Sequence, residues 1–503
     1  MGFEVEGDVS GKCLYLSKSR YCCAVQCPKM LWLKDNKPEL FDNDVLNDSV
    51  LETGNEVGDL AMGLFGPYTE VPYGDLSDMV ERTKELLEAN TPVICEASFS
   101  FDGCFCSVDV LVKKRNGFDL YEVKSSTEVK DVYLDDVAYQ YYVLTNCGLK
   151  INKTRIVIIN NQYIRRGELN LRRLFHIEDV TEEAQKRYNL VEQNISQIRL
   201  YMEQETEPAK DISPCCFSPY SCGFWDHCSS HLPKPSIFDV HGKMRSQMKW
   251  KYYYQGLVSF NDLLHAGVLN VHQYIQVSHE VGNYPPLIKK ESIKRYLATF
   301  SYPLYFLDFE TFMPAIPLYD NSRPYQQIPF QYSLHWIEKE GGELHHTEFL
   351  AYPGHDPRRE LAESLCRDIP LNVCTTAYNM GFERGRIREL ASLFPDLSKH
   401  LMNIFDNIVD LMIPFQRGWY YTKAMEGSYS IKYVLPALFP DDPELDYHNL
   451  EGVQNGGDAM AMFAKMQNME PEELEKSRAQ LLKYCCLDTY AMVKVWQKLL
   501  EAI

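Results

Sequence analysis

The chain has no apolar run approaching the roughly 20 residues that a membrane-spanning helix requires. Its first residues, MGFEVEGDVSGKCLYLSKSR, lack the apolar core of a secretory leader. The expected compartment is therefore the cytoplasm, with no membrane partner. There is no internal repeat and no low-complexity tract, which argues against solenoid and disordered architectures. Positive charge is also scarce. A formal net charge of −19 does not suit a protein that coats nucleic acid nonspecifically, because phosphate contacts favour Lys and Arg. It leaves room for a nuclease, since catalytic metal sites are built from carboxylates and a basic groove can sit on an acidic body.

What is present is ordinary globular material: 45% hydrophobic and 24% charged residues over 503 positions, too long for one core. Aromatics reach 13%, with 33 Tyr, enough both for cores and for base stacking. Sixteen cysteines in a reducing compartment point to thiols or metal ligation rather than disulfides. Cys95, Cys147 and Cys374 have apolar neighbours and are expected as small core residues.

Apolar patterning predicts strands at Cys104–Val112, Phe118–Val123 and Arg155–Ile159, and a helix over Tyr133–Leu144. A polar helix is expected over 178–207. A mixed, mainly helical bridge opens with Pro233 and Pro235, and YPLYFLDFETF begins a new strand. The resulting division is 1–232, a bridge over 233–298, and 299–503. The fold class is α/β: two modules, each a mixed central β-sheet flanked by helices.

Three constellations carry chemistry. In the first, Glu122 and Lys124 lie two apart on a strand and leave the same face, and Asp109 comes near if the turn at Asn116-Gly117 makes a hairpin. Two carboxylates beside an ammonium can hold a divalent cation and orient water against a phosphodiester. A solvated E-V-K alternation is the bland alternative. Against it stand the apolar Tyr121 and Val123 between the charges and a following helix with Asp135, Asp136 and Gln140. In the second, Cys27 precedes an apolar helix, while Cys216, Cys222 and Cys228 lie far downstream, with Cys22, Cys23 and Cys215 beside them and His227 as a spare ligand. Four thiolates suit zinc or an iron–sulfur cluster, and convergence of one early and three late cysteines would clasp the domain shut. In the third, Asp308 and Glu310 share a strand face, and Tyr484 and Asp488, four apart, share a helical face. Between them lie Asn379 and Glu383 in AYNMGFERGRIREL and Asp410 in NIVDLM.

The order of these fragments is more specific than any one of them. Residues 1–232 resemble the RecB-like branch of the PD-(D/E)xK nucleases, which includes the exonucleases of CRISPR spacer acquisition. The resemblance implies metal binding by Asp109 and Glu122, completion of the motif by Lys124, shaping of the site by Gln140, and Glu96 of ICEASF as an auxiliary acid. Where many relatives carry a His on an early helix, TGNEVGDLA has Glu56 and Gly58. The same resemblance implies a [4Fe–4S] cluster on Cys27, Cys216, Cys222 and Cys228, with Zn²⁺ as the alternative. Residues 299–503 resemble the DnaQ-like DEDD 3′–5′ exonucleases of the RNase H-like fold, in the variant with Tyr on the last helix. That implies two Mg²⁺ or Mn²⁺ ions on Asp308, Glu310, Glu383 and Asp488, with Tyr484 orienting the attacking water. Glu383 stands where most relatives have Asp. Asp410 and Asn379 would be auxiliary, and Lys432, in GSYSIKYVL, would approach phosphate or hold the fold together.

The expectation is a metal-dependent nuclease with nucleic acid as its partner, DNA ahead of RNA, trimming ends in repair, CRISPR or phage defence. Two other readings are a single catalytic module beside a nucleic-acid-binding one, and a non-enzymatic iron–sulfur scaffold. The strip 242–254, GKMRSQMKWKYYY, interleaves basic and aromatic residues that could track a single strand. The blander reading, a helix packing Trp250 inward with Lys heads in water, is preferred.

Overall fold

A computed structural model describes residues 14–43 and 48–503; most of the leader stretch read above, residues 1–13, lies outside them. The chain is α/β and divides into two compact units: 1–231 with 315–325, and 232–314 with 326–503. This departs from the expected division in two places. Residues 233–298 pack as part of the second unit, because Ile237, Val240, Tyr252, Phe260, Leu263 and Val277 build a core of their own there. Residues 315–325 pack with the first unit: Ala315, Ile316 and Tyr325 join its apolar core, and Arg165 donates to the carbonyls of Pro317 and Leu318.

The first unit is built on a seven-stranded mixed sheet. Its strands are β1 (Leu16–Ser17), β2 (Thr69–Glu70), β3 (Val93–Phe101), β4 (Cys104–Lys114), β5 (Gly117–Lys124), β6 (Ile151–Ile159) and β7 (Phe175–Asp179). β3, β4 and β5 form an antiparallel meander, and β6 adds in parallel after a helical crossover. Gly117 makes the β4–β5 turn at φ 128°, and a Cβ there would lie 2.3 Å from the Lys150 carbonyl oxygen. Only glycine fits that turn. Helices α1 (Lys18–Gln26), α2 (Pro28–Asn36), α3 (Asp131–Asn146) and α4 (Thr181–Met202) flank the sheet. Tyr21 of α1 stacks on Tyr139 of α3 at 4.5 Å, and the Tyr139 hydroxyl donates to the Leu16 carbonyl. The N-terminal helix is thereby fixed over the sheet.

The second unit contains β8 (Leu287–Ile288), β9 (Leu304–Phe312), β10 (Ile328–Ile337), β11 (Leu344–Leu350), β12 (Cys374–Ala377), β13 (Ile408–Asp410) and β14 (Tyr420–Tyr421). Five of them form a mixed sheet in the order β11-β10-β9-β12-β13, with β9 antiparallel to β10 and parallel to β12. The alternating residues Tyr305, Leu307 and Phe309 face an apolar layer that includes Leu361, Leu365, Ile387 and Leu401. The opposite alternation carries Phe306, Asp308 and Glu310 toward the long helix α7. The helices that matter to the site are α5 (Gly381–Leu393), α6 (Ile431–Leu438) and α7 (Pro471–Glu501). Gln331 of β10 donates to the Leu481 carbonyl at 2.8 Å and holds α7 against the sheet.

In the strip 242–254, Trp250 is buried against Phe238 and Tyr253, and the Lys249 ammonium donates to the Phe238 carbonyl. No helix among the described residues is long and apolar enough to cross a membrane.

Candidate functional sites

In the first unit, strand register aligns the acids. Cys95 pairs with Val110 and Ala97 with Val108, which sets Glu96 across from Asp109. Val110 pairs with Tyr121, which leads Asp109 on to Glu122 of β5, and the Val123 amide donates to Asp109 Oδ2 at 2.5 Å. Residues opposed across antiparallel strands share a face, so Glu96, Asp109 and Glu122 form a row across three strands. Glu96 sits at φ 53°, a left-handed conformation uncommon outside glycine. Two ammonium groups meet this row. Lys124 lies 2.6 Å from Glu122 and 2.5 Å from Asp136, and Lys18 of α1 lies 2.8 Å from Glu122 and 3.5 Å from Asp136. Gln140, on the same face of α3 as Asp136, donates to Glu122 at 2.6 Å and to Asp136 at 3.0 Å.

The charges resolve unevenly. Burial raises the Asp109 carboxyl to about 8, with Glu122 adding to the effect and Lys18 and Lys124 opposing it. Burial likewise raises Glu96. Asp136 is lowered: burial acts against its charged form, but Lys18 and Lys124 outweigh it. Asp109 and Glu96 are the acids of the row left in need of positive charge. The donor set is oxygen-only, the kind a hard divalent cation takes, but the ligand oxygens of Glu96, Asp109 and Glu122 do not all come within 4.8 Å of one another. Lys18 gives no sign in local sequence; it is a tertiary partner. Asp136, read only as a neighbour of the motif, is an ion-pair hub.

All the predicted cysteines converge. Cys27, Cys216, Cys222 and Cys228 line one small cavity, and Cys215 lines it with them. Cys215 is the centre of the thiol network. Hydrogen bonds from the Cys216 and Cys27 thiols hold it well below the ordinary thiol range, and Ser213 Oγ lies 3.0 Å from its sulfur. Cys27 is raised in turn, first by that bond to Cys215 and then by burial. Five thiols from two distant segments thus share one small cavity, although no three of their sulfurs all come within 4.8 Å of one another. The Cys215-Cys216 doublet was the available sequence signal. His227 is turned to Glu207, at 3.0 Å, a carboxylate also engaged by Lys29 and Lys37.

In the second unit, Asp308, Glu310 and Asp488 each offer an oxygen, all within 4.8 Å of one another. They line a cavity of about 1180 Å³ together with Asn379, Glu383, Lys432, Tyr447 and Tyr484. Asp308 and Glu310 are raised well above the carboxylate range, first by burial and then by Asp488 and the other acids. Asp488 is raised to about 6 by burial, while hydrogen bonds from Tyr447 and Tyr484 and the Lys432 charge pull it down. The Tyr447 hydroxyl is 2.6 Å from Asp488 Oδ1. Glu383, in the first turn of α5, is raised to about 8 by burial, and its Oε2 has no hydrogen-bond partner. Crowded, buried acids with an unpartnered oxygen fit divalent cations.

Asn379 and Asp410 have a different place. Asp410 Oδ1 accepts the backbone N–H of Asn379 at 2.9 Å and of Met412 at 3.0 Å, so it braces the loop between β12 and α5. Asn379 adopts φ 68° in that loop. Tyr447, on a short turn ahead of α7, was not singled out from sequence, where nothing marks it among 33 tyrosines.

Residues 305–430 match the model of a domain of unknown function, DUF2779. The match takes in Asp308, Glu310, Glu383 and Asp410 and stops before Tyr484 and Asp488. Over 209 residues the chain is 26% identical to an uncharacterized protein of Mycoplasma genitalium, MG366, covering 38% of this chain and 31% of that protein. The homolog in Mycoplasma pneumoniae is 26% identical over 208 residues, with the same shares covered. The chain thus spans about a third of the length of these curated relatives.

Proposed function

We propose that this chain is a metal-dependent nuclease that hydrolyses phosphodiester bonds at nucleic-acid ends, DNA in preference to RNA. The observation that carries the reading is the mutual approach of Asp308, Glu310 and Asp488 within 4.8 Å at the wall of a large cavity. These acids, with Glu383, would hold Mg²⁺ or Mn²⁺, which when bound supplies an activated water and neutralises charge on the scissile phosphate. Tyr447 and Tyr484 orient Asp488, and the Tyr484 hydroxyl is the group in this unit suited to aligning water. Lys432, in the wall of the same cavity, adds positive charge near Glu310 and Asp488 that a phosphate could use. In the first unit Glu96, Asp109 and Glu122 would hold a second cation set, with Lys124 steadying developing charge. The cysteines would hold a [4Fe–4S] cluster, or zinc, as a clasp between the start and end of that unit. A cytoplasmic setting keeps those thiols reduced.

One observation favours a narrower version. Lys18 and Lys124 already pair with Glu122 and Asp136, which leaves Glu122 less available to a cation and suits a first unit that contributes binding while the second cleaves.

Digestion of end-labelled single- and double-stranded DNA and RNA tests the proposal, with Mn²⁺, Mg²⁺ or EDTA and anaerobically purified protein. Cleavage lost stepwise in Asp308→Asn, Asp109→Asn and the double variant supports two centres. Loss with Asp308→Asn alone supports the narrower version. No cleavage by folded parent protein on any substrate overturns both.

A further inference from the structure

On the same sheet face as the acids of the second unit, toward its edge, lies a group that the nuclease reading does not use. β10 and β11 run antiparallel, with His335 opposite His346 and Ser333 opposite Glu348. Residues so paired project from one face, and α7 crosses it, bringing Cys486 and Thr489. Ligand atoms of His335, His346 and Cys486 all lie within 4.8 Å of one another. The two imidazole rings are 4.4 Å apart between centroids. Hydroxyls support both rings: Thr489 Oγ1 is 2.8 Å from His335 Nδ1 and 2.7 Å from Ser333 Oγ, and Ser333 Oγ is 3.0 Å from His346 Nε2. Metal-bound histidines keep such an outer partner on the second ring nitrogen. Glu348 Oε2 stands 3.8 Å from His346 Nε2, the nitrogen that also faces Ser333, and so belongs to the outer support of that ring.

We propose that His335, His346 and Cys486, with water as the fourth ligand, form a zinc-class metal site separate from the acidic centre. A buried hydroxyl–imidazole network needs no thiol; a tetrahedral site of mixed nitrogen and sulfur donors does. The donor chemistry also divides the metals within this unit. Hard Mg²⁺ or Mn²⁺ prefers the carboxylates, and zinc prefers imidazole and thiolate. On binding, the Cys486 thiol gives up its proton to solvent, with the partly exposed His346 at the rim as the way in and out. The ion would tie β11, the edge strand, to the helix that carries Tyr484 and Asp488.

The test is zinc content of the full chain, purified without added metal, then chelated and reloaded. Cys486→Ser and His346→Ala should each lose a full equivalent relative to the parent. Cys485→Ser should lose none, because that thiol points to the Asp308 carbonyl. Equal zinc in the parent and both folded variants overturns the proposal. If the variants do not fold, anomalous scattering at the zinc edge from parent crystals grown with zinc decides: a peak among the three side chains supports the site, and none there overturns it.

Discussion

Lys18 and Glu122, 104 residues apart in the chain, meet at 2.8 Å. Lys18 thereby completes a square of two ammonium groups and two carboxylates with Lys124 and Asp136, and it sets how strongly the neighbouring acids hold their protons. Lys18→Met keeps the stem and removes the charge. The variant should lose about 2 kcal/mol in urea unfolding, below the cost of breaking a fully buried pair because a quarter of the side chain is exposed. Lys18→Arg should recover most of it. Since Lys18 opposes the upward shift of Asp109, Lys18→Met should also move any pH profile measured in an Asp308→Asn background to higher pH. An unmoved profile would remove Lys18 from the site.

Asp488 predicts how stability depends on pH. Its folded value, about 6, lies above the ordinary carboxylate value of about 3.9, so the folded protein binds its proton more tightly than the unfolded chain does. The stability this contributes is complete below the unfolded value and is lost as pH rises through about 6. With EDTA, the unfolding temperature should fall across that window. Mn²⁺, which favours the ionised acids, should remove the fall, and Asp488→Asn should flatten it. Calorimetry in the two buffers makes the comparison.

Relieving one of the crowded charges has the opposite sign for stability and for activity. Asp308→Asn should stabilise metal-free protein by about 1 kcal/mol, as substitutions at strained sites commonly do, while abolishing metal-dependent cleavage by the second unit. A destabilised variant would mean that the Asp308 charge is already compensated within the fold.

Asp410 is a positioning residue. Asp410→Ala leaves two backbone N–H groups without their acceptor, which should cost about 1–3 kcal/mol. It should lower the rate of cleavage more than the apparent affinity for Mn²⁺, because Glu383 moves with its loop while Asp308, Glu310 and Asp488 stay. Equal losses in both would make Asp410 a ligand.

Cys215 lines the same small cavity as Cys27 and Cys216. Cys215→Ala should therefore lower the metal content of anaerobically purified protein as far as Cys27→Ala does. Content equal to that of the parent would confine the ligands to the four cysteines spaced along the motif.

Local patterns were legible where one element's own period decides the geometry. Asp308 and Glu310 share a face because strands repeat every two residues, and Tyr484 and Asp488 share one because helices bring i and i+4 together. The α/β class followed from the same alternations. Lys18 was not legible, since tertiary contacts such as the stacking of Tyr21 on Tyr139 bring α1 over the sheet. Tyr447 reaches Asp488 from a short turn with no periodic signal. Asp410 was placed in the right strand, but its side chain faces backbone amides, a choice that depends on the β12–α5 loop and not on its own neighbours.

The excursion of residues 315–325 has a consequence for dissecting the protein. The strands bearing Asp308 and Glu310 and bearing His335 are joined by a segment whose Ala315, Ile316 and Tyr325 complete the first unit's core. Cutting the gene after codon 231 would therefore not yield two interchangeable cassettes. The front fragment would lack a wall of its interior, and the back fragment would carry that wall unfolded between two of its central strands. The two halves have to be inherited, expressed and matured as one polypeptide.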